Sequence, residues 1–106
     1  MISKELLSEV LGVYVRDGWY FDCEILIYTY DKILGLDENY HAEINIYELV
    51  HKCKEWAYTN HEAVINIFQK TSYNPYTAKL EGKVFQSDTE PEAVFKACEW
   101  VLKKMR

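Results

Sequence analysis

Residues that interrupt structure are scarce in this chain. Its 106 residues hold four glycines and two prolines, with no linker-like or low-complexity tract. One continuous domain is therefore expected over 1–106. Gly12, Gly18, Gly35 and Gly82 stand singly, so no glycine-rich loop is available to cradle a phosphate. Neither a Cys-x-x-Cys nor a His-x-x-x-His spacing occurs, which removes the common zinc patterns. His51 and Cys53 are two apart on an expected helix and point about 200° apart, so they do not share an ion. No apolar run approaches the roughly 20 residues that cross a bilayer. The opening Met-Ile-Ser-Lys-Glu lacks a basic stretch followed by an apolar core, so no secretory signal is expected. Cys23, Cys53 and Cys98 are odd in number and far apart. They are expected as free, mostly buried thiols in a cytoplasmic protein rather than as a disulfide framework.

Catalytic patterns are equally thin. Cys23 with His41 or His61 has the chemistry of a nucleophile and base, but no nucleophile elbow marks it, and a buried strand cysteine is the simpler expectation. Asp22 with Glu24, on one face of a strand, and Asp37 with Glu38 have the chemistry for acid–base work or a divalent cation. A solvated polar face accounts for both pairs more simply. The expectation is a protein that is not an enzyme and carries no cofactor or metal.

Periodicity and turn signals predict the elements. Ser3 is a suitable N-cap, Ile2 and Leu7 have staple spacing, and Leu6, Leu7, Val10 and Leu11 share one helical face that stops at Gly12. A second helix begins at Asn45, with Leu49, Val50, Cys53, Trp56 and Ala57 on one face, and ends at Thr59-Asn60. A third opens near Thr89 with Pro91 in its first turn and acids clustered there. Its apolar face is Val94, Phe95, Cys98, Val101, Leu102 and Met105. Asp17-Gly18 predicts a two-residue hairpin between 13–16 and the strand starting at Trp19. Residues 24–30 are apolar on both alternating faces. Such a strand needs helices above and below, or a partner on one face. Residues 63–69 and 79–86 predict a second hairpin, the latter an edge strand. The segment 31–44 has no clear assignment. The fold class is α+β: a mainly antiparallel sheet of four to five strands with three helices, in the order α-β-β-α-β-β-α.

The segment Thr89-Glu-Pro-Glu-Ala-Val-Phe-Lys-Ala97 is similar to the ending of the small phage and prophage proteins called the phage ABA-sandwich domain. There an acid-Pro segment opens the last helix, with alanines placed as at Ala93 and Ala97. Leu49 to Trp56 before a strand at 63–69 is a less specific match, and the resemblance covers about the C-terminal 60 residues. It implies a mobile-element product acting inside a bacterium. That family has no established activity, so no functional residues carry over.

Charge is where the chain is uneven. Residues 1–48 hold ten acids and three bases, whereas 49–106 hold seven acids and nine bases, for a net charge of −5. The acidic half is also aromatic. Asp17, Trp19, Tyr20, Asp22, Tyr28, Tyr30, Asp31, Asp37, Glu38 and Tyr40, with Tyr73 and Tyr76 from a later loop, are the candidate partner-binding residues. Rigid rings amid carboxylates suit a basic protein partner, and the acidity argues against direct nucleic-acid binding. The expected function is a phage-encoded protein-binding inhibitor of anti-CRISPR type, its carboxylates standing in for phosphates in a defence effector. The rivals are a self-associating homodimer using an apolar sheet face or the 79–86 edge, and a small metal-dependent hydrolase.

Overall fold

The first helix is fixed at both ends by local chemistry. In the computed structural model, which describes residues 2–32, 40–69 and 75–104, α1 spans Lys4–Leu11. The Ser3 hydroxyl accepts the Leu6 N–H, and Gly12, at φ +70°, donates its N–H to Ser8 O. Ser3 also ties the helix to the far end of the chain. Its hydroxyl donates to Glu99 Oε1 at 2.7 Å, and its N–H donates to the same oxygen at 3.1 Å.

Seven strands follow in two antiparallel sheets among the described residues, where the sequence suggested one. The α+β class and the three helices are as the sequence pattern predicts. In the first sheet, β3 (Ile25–Asp31) is the centre, with β1 (Tyr14–Val15) and β2 (Tyr20–Asp22) both pairing to it and not to each other. β4 (Tyr40–Asn45) pairs with β3 from Ile25 to Tyr30, so β1 and β2 share the opposite edge. Asp17-Gly18 is thus no hairpin turn. Val15 lies opposite Tyr30 and Tyr20 opposite Ile27, and this register accommodates Asp17 and Gly18 as a two-residue bulge in an interrupted strand. Side-chain facing gives the reason. A two-residue hairpin would set Val15 opposite Tyr20 on one face, yet Val15 is buried and Tyr20 is 56% exposed. Pairing with β3 puts Val15, Phe21 and Leu26 on the core side and Tyr20 outside.

The turn in this region falls at Cys23-Glu24, where Cys23 takes φ +56°. Cys23 is accordingly exposed at a turn rather than buried in a strand. Glu24 has left the strand as well, so it does not share a strand face with Asp22.

The second helix, α2 (Ile46–His61), is capped by the Asn45 side chain, which accepts the Tyr47 N–H at 2.8 Å. It outlasts the Thr59-Asn60 signal because Glu62, at φ +53°, closes it with its N–H on Ala57 O and Tyr58 O. The second sheet has the order β5-β6-β7, with β5 at Asn66–Phe68, β6 at Tyr76–Leu80 and β7 at Lys83–Ser87. The expected single strand 79–86 is instead split by Glu81-Gly82, at φ +50° and +81°. Both residues are left-handed, as a two-residue type I′ hairpin requires. In α3 (Glu90–Lys104), Thr89 Oγ1 accepts the Glu92 N–H, and Lys103 and Lys104 stand at the negative end of the helix dipole.

A single buried cluster unites the elements: Leu6 and Leu7 of α1, Leu26 and Ile44 of the first sheet, Leu49 and Cys53 of α2, Ala78 and Leu80 of the second sheet, and Phe95 and Cys98 of α3. The chain measures 47 × 31 × 17 Å. A thickness of 17 Å holds one helix layer on one sheet layer, given layer spacings of about 10 Å. Phe95 is the largest of the fully buried side chains. Phe95→Ala is expected to lower unfolding free energy by about 3–5 kcal/mol, read from urea denaturation with an unchanged m-value.

Candidate functional site

The first sheet presents two unlike faces. On one side Val15, Phe21, Leu26 and Ile44 enter or pack on the core, together with Trp19 and Tyr28. The opposite side follows from the register. Ile25, Ile27 and Thr29 run down the centre, flanked on β2 by Asp22 and Tyr20 and on β4 by Asn45, Glu43 and His41. Tyr20, Asp22, His41 and Glu43 are exposed, while Ile25, Ile27 and Thr29 are half-buried by their neighbours. Neither isoleucine belongs to the core or packs against it. An apolar stripe bordered by one tyrosine and two carboxylates is therefore left on the surface.

The expected partner-binding residues do not form one patch. Tyr20 and Asp22 lie on the outward face, and Asp17 sits in the bulge, exposed and 3.4 Å from Lys4 Nζ. Trp19 and Tyr28 belong to the helix-side face. Tyr30 and Tyr40 face each other on that side and stack with centroids 5.4 Å apart, Tyr28 extends the row at 5.8 Å from Tyr30, and Lys32 Nζ lies 5.1 Å from the Tyr40 ring centre. Burial, with Tyr30 and Glu48 nearby, pushes the Tyr28 phenol above its ordinary pKa. Tyr76 belongs to the second sheet and packs against the core. Asp37, Glu38 and Tyr73 lie outside the described residues, as does Met105 of the third helical face.

Asp31 departs from its expected place on the surface. Its side chain is 5% exposed, and its Oδ2 accepts the Arg16 Nε–H at 2.8 Å. The interrupted strand explains this, because Arg16, just past β1, donates its backbone N–H to Thr29 O and sits diagonal to Asp31. Sequence reading offered one face of residues 24–30 to a partner but did not place His41 and Glu43 beside Ile25 and Ile27. The outward alternation of His41 and Glu43 against Ala42 and Ile44 was the available signal.

Reactive groups are dispersed. His41 and His51 are exposed, the latter 3.8 Å from Glu55. His61 has its ring edge against Trp56 at 4.9 Å and its Nε2 buried without a hydrogen-bond partner among the described residues. Among the described residues no three His, Cys, Asp or Glu side chains converge as a metal site, and no helix is long and apolar enough to cross a membrane. Comparison of the chain with protein-family models, with curated proteins and with solved structures finds no match.

The thiols divide into two environments. Cys53 and Cys98 are fully buried, with Cys98 Sγ 3.6 Å from Cys53 O. Side-chain hydrogen bonding with Cys98, which holds the Cys53 proton, and then burial raise the Cys53 thiol far above its ordinary pKa, which withholds the reactive thiolate. A disulfide-exchange reagent is expected to modify Cys23 alone in the native protein, and all three cysteines only in denaturant. Replacing Arg16 by Ala strands the buried Asp31 carboxylate and is expected to cost about 1–3 kcal/mol. The double change with Asp31→Ala should cost less than the sum of the two single changes, measured by a denaturation cycle.

Proposed function

We propose that this chain is a non-enzymatic protein-binding protein that docks a basic protein partner on the outward face of its four-stranded sheet. The observation that carries the reading is the apolar stripe Ile25-Ile27, which among the described residues lies outside the core cluster and has no helix packed on it in a two-layer fold. Apolar centres ringed by polar residues mark protein contact sites. Tyr20 supplies a rigid ring of the kind that dominates interface energy. Asp22 and Glu43 on either flank set the sign of the partner, since complementary charge governs encounter rate and choice of partner. In its specific form the partner is the nucleic-acid channel of a bacterial defence effector, blocked as an anti-CRISPR protein would block it. That form draws on the resemblance of residues 89–97 to phage ABA-sandwich proteins.

The test is capture of host proteins on the immobilised chain, followed by titration of the retained partner. Binding is expected to weaken with salt and to compete with nucleic acid in the specific form. Ile27→Asp, or Asp22→Lys with Glu43→Lys, should weaken it at least about tenfold, or 1.4 kcal/mol. Equal retention by the Ile27→Asp protein would exclude this face. A dilution series by light scattering reads the rival use of the stripe: a dimer dissociated by Ile27→Asp assigns the face to a second copy of the chain.

A further inference from the structure

Two adjoining cavities of about 520 and 550 Å³ form one cleft between α1 and β1. They share Lys4, Ser8 and Tyr14; Glu5, Glu9 and Lys32 line one, and Arg16, Asp17 and Asp31 line the other. In this wall Asp31 is anomalous. Its Oδ2 holds the Arg16 Nε–H, but its Oδ1 is buried with no hydrogen-bond partner among the described residues. A carboxylate oxygen removed from water without a donor is costly, and a native protein rarely leaves one so.

We propose that the cleft receives a long basic side chain, lysine or arginine, from the protein partner, with Asp31 Oδ1 accepting its cationic N–H. Local charge selects the class of donor. Lys4 is committed to Asp17 and Arg16 to Asp31. Glu5 and Glu9 make no ion pair among the described residues, and Lys32, the remaining base of the lining, lies over the Tyr40 ring. A cation is favoured over a neutral donor or an anion. Tyr14, common to both cavities and 46% exposed, offers its ring to the alkyl stem or the charge. The cleft also continues from the outward sheet face, because Tyr14 and Asp31 pair on the side of the sheet that carries Thr29 and Ile27. A partner seated on the apolar stripe has a basic side chain within reach. The identity of the donor as a partner's side chain rests on that docking; the cation site itself does not.

Amide spectra of the labelled protein, titrated with N-acetyl-lysine methylamide, N-acetyl-arginine methylamide and the neutral N-acetyl-norleucine methylamide, test the site directly. The two cations should shift Ser8, Tyr14, Val15 and Asp31, and the norleucine compound should not. Asp31→Asn should abolish the shifts. Glu5→Gln with Glu9→Gln, exposed changes that leave the core intact, should weaken binding severalfold and carry the test if Asp31→Asn does not fold. Absence of shifts, equal shifts with norleucine, or undiminished binding to the glutamine double variant would overturn the proposal. Cation binding without any partner on the sheet face would retain the site and remove the docking.

Discussion

A strand apolar on both faces, placed in a protein only two layers thick, is the constraint on which the architecture turns. β3 is hydrogen-bonded along both edges, to β4 on one side and to β1 and β2 on the other. Its Leu26 side closes the core beneath the helices, and its Ile25-Ile27 side has no second layer of helices above it among the described residues. Burying an isoleucine contributes about 1.5–3 kcal/mol relative to exposing it. Leaving two partly uncovered is thus a cost in stability that the fold carries elsewhere, and a gain available to whatever covers them.

The same strand explains which parts of the structure were legible in the sequence. The helices were, because capping is local chemistry: Ser3, Asn45 and Thr89 each satisfy a backbone N–H within three residues. Strand pairing is not local. Asp17-Gly18 carries a strong hairpin signature, yet the register that puts Val15 and Phe21 on one face outweighs the turn preference and turns the dipeptide into a bulge. Conversely, Glu81-Gly82 makes a tight hairpin from a less favoured dipeptide, since Leu80 and Phe85 both face the core across it. The strand at 40–45 was readable in principle from its alternation, but its partner lies across residues 33–39 and only pairing reveals it.

The candidate surface was legible in composition and illegible in arrangement. Eight of the sixteen aromatic residues lie in 1–48, but alternation along the strands sends them to opposite sides: Trp19, Phe21 and Tyr28 inward, Tyr14 and Tyr20 outward. A linear cluster of rings therefore became one stacked row against the helix side and a sparse set on the outer face. Asp31 was similarly misplaced because nothing in its neighbours announces that Arg16, fifteen residues earlier, reaches it across the sheet.

The pairing of charges sharpens what the acidic half means. Its three bases are all engaged: Lys4 with Asp17, Arg16 with Asp31, and Lys32 over the Tyr40 ring. The acids they engage are the bulge and floor residues beside the α1 cleft, not those on the open sheet face. Asp22 and Glu43, and Glu5 and Glu9 on α1, are left without an ion pair among the described residues. Exposed carboxylates spread over a helix alone would be ordinary solvation. Here two of them border a partly uncovered apolar stripe, and the other two border a cleft lined by Asp31, whose Oδ1 has no hydrogen-bond partner among the described residues. Asp22 and Glu43 thus adjoin the Ile25-Ile27 stripe through strand register, whereas Glu5 and Glu9 stand beside the α1 cleft.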